Sequence, residues 1–221
     1  MNCNNVSKVP FEARLVSRAN IKLPSNTTHY DIYELGEEDA SFLIKMQNAV
    51  DLKRLYKVPL DKLRNWNALF ECATTMGSSF GLKNFLIANE MGRPCGALVT
   101  KKYNPNQYKV WCLCTWPAEV GKRAVLAGKS LMLGVYKKIL NEDGSFSGMS
   151  IEAVRDGLFN PVKRYLDLGF SHIGGDEYNA NMSISRDKMA KILDKYDDIV
   201  HIEEINSVRR VNLDSVLDIS Y

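Results

Sequence analysis

The chain of 221 residues is long enough to bury a full hydrophobic core and fits a single domain. Apolar residues make up 45% and charged residues 25%, which is ordinary for a globular protein, and no apolar run approaches the roughly 18 residues of a membrane span. The net charge of +3, without any block of like charge, is too small to indicate binding to nucleic acid.

The N-terminal residues and the cysteines bear on the cellular compartment in which the protein is expected. Residues 1–5 lack both the basic start and the apolar core of a signal peptide, and the five cysteines form no CxxC pair. We therefore expect a cytoplasmic protein with reduced thiols. Cys112 and Cys114 are two apart on a predicted strand, so both face one side, and without a third ligand nearby they are better explained as buried apolar residues than as a zinc site.

The first half of the chain contains weakly patterned residues, then a strand, two helices and a meander of strands. Alternation of apolar and polar residues predicts the strands, and Gly and Pro mark the turns between them. Apolar residues at helical spacing, which follow either acidic residues or a proline, predict the helices. In order, these are an N-terminal extension over residues 1–27, a strand over His29–Leu35, helices through Val50 and from Pro59 to before Gly77, and strands over Asn84–Glu90, Cys95–Thr100 and Tyr108–Trp116.

The second half alternates helices with strands. In order, it contains a loop over residues 117–130, a helix from Leu131 to Leu140, a strand over Met149–Val154, a helix around Tyr165, a strand over Asn181–Ser185 and a helix over Asp187–Asp198. This order predicts a mixed α+β fold with one strand-loop-helix unit in the middle. We expect a main domain over residues 28–185, with a C-terminal helix and tail over 186–221 packed on it.

The loop between residues 116 and 131 has the character of an anion site. A strand that feeds a helix leaves the N–H groups of the first helical turn free for an anion, and Lys122, Arg123 and Lys129 add positive charge. The alternative is an ordinary surface loop with solvated lysines. Gly128-Lys129-Ser130 also suggests a P-loop, although Arg123 occupies the position of that motif's first glycine.

Tyr165 lies four residues before Gly169-Phe170, and two interpretations of it are open. In the first, the ring packs, Gly169 caps a helix and Phe170 begins the next strand. In the second, the phenol, whose ordinary pKa is near ~10, protonates a leaving group.

These motifs together resemble the GNAT superfamily of acyl-CoA-dependent acetyltransferases over roughly residues 29–185. Residues 85–96 look like the central hairpin of that family, and Arg123–Gly128 falls where the family carries [Q/R]-x-x-G-x-[G/A]. Tyr165–Phe170 matches the family's Tyr-x-x-x-Gly-Phe. Leu126 departs from the pattern because it replaces the first glycine of the pyrophosphate loop, where a side chain would crowd the diphosphate or change the backbone path.

The resemblance implies a GNAT-like, mostly antiparallel twisted sheet flanked by helices, and transfer of an acetyl group from acetyl-CoA to an amine of a small molecule or peptide, without a metal. The strand before the loop is expected to splay from its neighbour, and Tyr165 is expected to be the general acid for the thiolate. The implied acetyl-CoA contacts are Leu113, Cys114, Thr115, Lys122, Arg123, Ala124, Val125, Leu126, Ala127, Gly128, Lys129 and Asn160.

The sequence leaves the base, the acceptor site and the oligomeric state open. Glu152 or His172 is a candidate base, and an amine that arrives neutral needs none. Trp66 and Phe70 are candidates to border the acceptor site. The alternative function, motivated by Leu126, is a GNAT-fold protein that binds CoA or a protein partner without turnover. Homodimerisation through the terminal extensions is also left open.

Overall fold

A computed structural model describes residues 13–76, 82–104, 106–142, 144–155, 161–205 and 210–221. Its strands are β1 (Ala13–Lys22), β2 (Thr27–Leu35), β3 (Leu82–Asn89), β4 (Pro94–Asn104), β5 (Gln107–Thr115), β6 (Gly148–Val154), β7 (Ser171–Gly175), β8 (Asn179–Ser185), β9 (Val200–Glu204) and β10 (Arg210–Val211). Its helices are α1 (Ala40–Ala49), α2 (Leu52–Tyr56), α3 (Arg64–Met76), α4 (Ala127–Glu142), α5 (Pro161–Asp167), α6 (Arg186–Tyr196) and α7 (Leu213–Val216), with short 3-10 turns at Glu37–Asp39 and Leu60–Leu63.

The strands form one mixed sheet in the order β10-β1-β2-β3-β4-β5-β6-β8-β7, and β9 also pairs with β1. The pairings between the described strands are antiparallel, except that β5 and β6 run parallel. The prediction of a mixed, mostly antiparallel α+β fold is therefore confirmed. This parallel pair lies in the middle of the sheet. In the chain, β5 begins the strand-loop-helix unit that leads into α4, and β6 follows that unit.

Helices bury both faces of the sheet. One core contains residues of α4, α5 and α6, and among its members are Phe85, Leu131, Tyr136, Phe170 and Met189. The other core contains residues of α1, α2, α3 and the C-terminal segment, and among its members are Leu43, Leu55, Phe70, Trp116 and Leu213. Because β5 contributes to both cores, its position is fixed from both sides of the sheet.

The strand β1 lies within the weakly patterned residues, where no element was predicted. It pairs with β2 with a register shift between Leu15 and Ser17, so Val16 is an extra residue. Ala13 packs in the core of α1–α3, whereas Val16 packs in the core of α4–α6. The bulge breaks the simple alternation that reveals a strand in a sequence, which is why this one was missed.

The C-terminal segment is tied to the sheet at several points. The strand β9 pairs with β1 from Ser17 to Ile21. The N–H of Asp218 donates to the carbonyl of Gly92 at 2.9 Å, in the turn between β3 and β4. The hydroxyl of Tyr221 donates to the carbonyl of Pro94 at 2.5 Å. The last residues thus support the start of β4.

Buried tyrosines are expected to make the fold sensitive to alkali. Burial, aided by Asp31, raises the pKa of Tyr33 to about 12. The stability that depends on its protonated hydroxyl is complete below the unfolded value near pH ~10 and is lost as the pH rises toward the folded value. Between those limits, Tyr33→Phe should reduce the slope of unfolding free energy against pH by about 1.4 kcal/mol per pH unit. Urea unfolding at a series of alkaline pH values measures the slope, and an unchanged slope would contradict the expectation.

Candidate active site

The strands β5 and β6 separate part-way along their length. They pair in parallel only where Gln107–Val110 meets Gly148–Ile151, although β5 continues to Thr115 and β6 to Val154. On its other edge β5 stays paired with β4, but the register shifts so that Trp111 is an extra residue between Val110 and Cys112. A bulge of this kind bends its strand. We call the opening beyond Val110 and Ile151 the fork; its occurrence agrees with the predicted splay.

The backbone of β5 presents polar groups to the fork. The N–H of Trp116 donates to the carbonyl of Cys95 at 2.9 Å, on the β4 side. The carbonyl of Thr115 and the N–H of Trp116 belong to the same trans peptide and point in opposite directions, so the carbonyl of Thr115 faces the fork. Alternation along the strand then directs the backbone groups of Leu113 to the fork and those of Cys114 to β4.

The carbonyl of Thr115 already has two donors. The hydroxyl of Tyr56 lies 2.5 Å from it, and the indole Nε1 of Trp66 lies 2.6 Å from it. These residues belong to α2 and α3, so the wall formed by the N-terminal helices is anchored to the end of β5. The N–H of Thr115 and both backbone groups of Leu113 then remain directed toward the fork.

A cavity of about 600 Å³ fills the fork. Its lining comes from α3, β5, the loop before α4, the start of α4, β6 and α5. The lining residues that bear on the chemistry are Asn65, Trp66, Trp111, Leu113, Thr115, Leu126, Gly128, Lys129, Glu152, Lys163, Arg164 and Tyr165.

The helix α4 begins at Ala127, earlier than the predicted start at Leu131. The N–H of Ser130 donates to the carbonyl of Leu126 at 2.8 Å, so Gly128 and Lys129 lie in the first helical turn and not in the loop. That turn sits against the end of β5, because a Cβ added at Gly128 would lie 3.3 Å from Cγ2 of Thr115. The N–H groups of a first turn have no intrahelical acceptors, so this end of the cavity suits an anion.

Tyr165 packs as the first of the two interpretations expects, and it also lies at the wall of the cavity. Its ring is 8% exposed and meets Phe170 edge-on, with centroids 5.7 Å apart. Gly169, at φ +90°, follows the last turn of α5, and the N–H of Phe170 donates to the carbonyl of Tyr165 at 3.0 Å. Tyr165 nevertheless lines the cavity, and burial raises the pKa of its hydroxyl well above the ordinary value.

Solved structures share the fold of the chain. No protein-family model and no curated protein sequence matches the chain. FdhC, described as a nucleotide-linked sugar GNAT, aligns with a TM-score of 0.50 and 14% identity over 86% of this chain and 97% of its own. The chain has the GNAT fold. An uncharacterized protein from Bacillus halodurans aligns with a TM-score of 0.52 and 13% identity over 81% of this chain and 95% of its own.

The residues that the GNAT resemblance nominates fall into two groups. Those that line the cavity are Leu113, Thr115, Ala124, Leu126, Ala127, Gly128, Lys129 and Tyr165. The side chain of Cys114 is buried in the core of α1–α3. Lys122 is exposed with its Nζ 2.6 Å from Glu119, and Arg123 and the side chain of Val125 are also exposed. Asn160 lies outside the described residues.

Two further contacts hold the residues around the start of α4. The carbonyl of Val125 accepts a hydrogen bond from the hydroxyl of Tyr30 at 3.0 Å, which fixes the loop just before α4. The Nζ of Lys129 lies 3.9 Å from the ring centroid of Tyr196 on α6, so its ammonium group rests on an aromatic face. A phosphate at the start of α4 would therefore meet Lys129 only after that contact changed.

Leu126, which stands where the GNAT pattern has a glycine, has a backbone conformation that favours glycine. Its φ is +60°, in the left-handed region that a side chain disfavours. The departure therefore leaves the loop in a glycine-like path, and the side chain lines the cavity while packing partly against the core.

We expect Leu126→Gly to be more stable than Leu126→Ala by about 1 kcal/mol, because both lose the side chain and only Gly escapes the left-handed penalty. Chemical denaturation of the two variants measures this difference directly. Equal stabilities would mean that the backbone strain at position 126 is negligible.

The candidate bases differ in their access to the fork. Glu152 lines the cavity on β6, with its Oε2 3.7 Å from Nζ of Lys109. His172 lies on the edge strand β7, where its Nε2 is 3.1 Å from a guanidinium nitrogen of Arg155, and it is not part of the described cavity wall. The geometry favours Glu152 of the two.

No sequence pattern indicated the cations on α5, or the pair of thiols that joins α3 to β5, as parts of the site. Lys163 and Arg164 line the cavity beside Tyr165. Cys112 lines it as well and is hydrogen-bonded to Cys72 of α3, a contact that lowers the pKa of the Cys72 thiol to about 7. Burial and the same contact raise the pKa of Cys112. Such pairs depend on tertiary packing between distant segments.

Within the described ranges, no group of three or more His, Cys, Asp or Glu side chains is arranged to hold a metal ion. In the same part of the chain, no helix is long and apolar enough to cross a membrane.

Proposed function

We propose that the protein is an acyltransferase that moves an acetyl group from acetyl-CoA to a primary amine. The observation that carries the proposal is the fork, where the N–H of Thr115 and both backbone groups of Leu113 point to the side on which β6 no longer pairs with β5. An exposed strand edge binds an extended, amide-containing chain by main-chain hydrogen bonds. The pantetheine arm of acetyl-CoA is such a chain, and the cavity of about 600 Å³ supplies its room.

The remainder of the donor, which carries phosphates, matches the positive charge at the start of α4 and on α5. The N–H groups of Gly128 and Lys129, in the first turn of α4, would bind the diphosphate, since a helix N-terminus attracts anions. Lys163 and Arg164 on α5 line the same cavity and add positive charge. The left-handed conformation of Leu126 supports this assignment, because it preserves the backbone path that presents the helix start.

The reaction is direct attack within the fork. The amine nitrogen forms a bond to the thioester carbon while the carbon–sulfur bond breaks, and a backbone N–H of β5 polarises the carbonyl. The proton of the Tyr165 hydroxyl passes to the departing sulfur. The amide nitrogen releases its extra proton to solvent, from which Tyr165 is reprotonated. The amine attacks in its neutral form and therefore needs no base.

A thiol-release assay tests the proposal. Purified protein is mixed with acetyl-CoA and a panel of primary amines, and free CoA thiol is followed against a reaction without protein. Amine-dependent release of CoA, with the acetylated amine identified by mass spectrometry, is expected. Binding of acetyl-CoA without release for any amine would instead support the alternative, a GNAT-fold protein that binds CoA without turnover.

A further inference from the structure

The cavity wall contains an indole and a carboxylate that share an ammonium group. Trp111, the extra residue of the β5 bulge, is 46% exposed and lines the cavity together with Glu152 of β6. The Nζ of Lys109 lies 5.7 Å from the ring centroid of Trp111 and 3.7 Å from Oε2 of Glu152. The second distance is an ion-pair contact too long for a hydrogen bond. The ammonium group of Lys109 thus lies within reach of both the indole and the carboxylate.

The charged lining residues belong to different elements of the cavity wall. The cations Lys129, Lys163 and Arg164 lie on α4 and α5. On the strands, Glu152 of β6 carries a negative charge, and Trp111 of β5 contributes an indole. A donor with phosphates is attracted to the cations of the two helices. A positively charged group is attracted to the carboxylate and to the negative face of the indole.

We propose that Trp111 and Glu152 form a subsite for a second ammonium group of the acceptor, so that the acceptor is an aliphatic diamine or polyamine. This inference rests on the acyl transfer proposed above. One nitrogen of the acceptor, neutral, attacks the thioester, and another, protonated, lies against the indole and the carboxylate. The ammonium group of Lys109 holds that position in the free protein and moves aside when the acceptor binds.

Three amines with four carbons each test the subsite. The protein is titrated calorimetrically, with and without saturating CoA, with 1,4-diaminobutane, butylamine and 4-aminobutyrate, which differ only in the group at the far end. We expect the diamine to bind about fivefold more tightly than butylamine, because a cation at an indole face and a carboxylate is worth roughly that factor. The aminobutyrate should bind most weakly, because its carboxylate meets Glu152.

Variants separate the subsite from a general effect of charge. Glu152→Gln and Trp111→Leu should each reduce the preference for the diamine over butylamine. Lys109→Met should strengthen diamine binding about threefold, since it removes the competing ammonium group. Lys101 is the β4 neighbour of Lys109 in register and is exposed, so Lys101→Met removes the same charge from the same surface and should leave diamine binding unchanged.

The outcomes distinguish this inference from the proposed function. Equal binding of the three amines, or no gain from Lys109→Met, would overturn the subsite even if acetyl-CoA binds. Failure to bind acetyl-CoA, combined with the expected ranking of the amines, would overturn acyl transfer and leave the ammonium subsite standing.

Discussion

Replacing Tyr165 with Phe should lower kcat for acetyl transfer by roughly 100-fold or more, which is the usual contribution of a positioned general acid. The Michaelis constant for acetyl-CoA should stay nearly unchanged, because the ring and its edge-on contact with Phe170 are kept. Burial raises the pKa of the Tyr165 hydroxyl, so the proton is present throughout the neutral range. A raised pKa weakens an acid, but a thiolate that forms in the same buried surroundings is also a stronger base.

Tyr136 provides the matched control. It is buried in the same core, its hydroxyl donates to the carbonyl of Leu168 at 3.2 Å, and it is not part of the described cavity wall. Tyr136→Phe should therefore cost about 1 kcal/mol of stability through the lost hydrogen bond, with kcat per folded molecule unchanged. Steady-state kinetics on both variants makes the comparison. A loss of only a few-fold in Tyr165→Phe would assign that tyrosine to packing.

Replacing Trp116 with Ala should destabilise the fold by about 3–5 kcal/mol, because it empties a large site at the end of β5. The side chain is 1% exposed, and its ring meets Phe70 of α3 edge-on at 5.1 Å. Its Nε1 also donates to the hydroxyl of Tyr221 at 3.3 Å. The residue thus joins α3 and the C-terminal segment at the point where β5 enters the loop.

Trp111→Ala is the control for this change, since it removes the same side chain from an exposed position. It should alter stability by about 1 kcal/mol or less. Chemical denaturation of the two variants, monitored by circular dichroism, gives both free energies. Similar losses in both would show that Trp116 does not brace the end of the fork.

Much of the fold was predictable because its signals are local. The hairpin of β3 and β4 is marked by Gly92 and Pro94, and α4 and α6 carry unbroken helical spacing. The fork was expected only through the GNAT resemblance. The physical basis of the fork is the extra residue Trp111 in β5. An extra residue is defined by the register between two strands, so the residues of one strand alone do not reveal it.

The missed features have tertiary causes. The strand β1 is hidden by its bulge at Val16, and α2 is too short for a periodic pattern to emerge. The donation of Tyr56 and Trp66 to the carbonyl of Thr115 joins residues that are distant in the chain. Sequence patterns therefore located the walls of the site, while the contacts that fix those walls required the fold.

The most direct test of the account is calorimetric titration of the purified protein with acetyl-CoA, with ATP and Mg²⁺ as the control ligand. The fork, the start of α4 and the glycine-like path at Leu126 predict micromolar binding of acetyl-CoA and no comparable binding of ATP. Absence of acetyl-CoA binding would mean that the Leu126 side chain closes the donor site, and that the chain has the GNAT fold without its chemistry. Binding of ATP that depends on Mg²⁺ would instead favour a nucleotide site at Gly128-Lys129-Ser130.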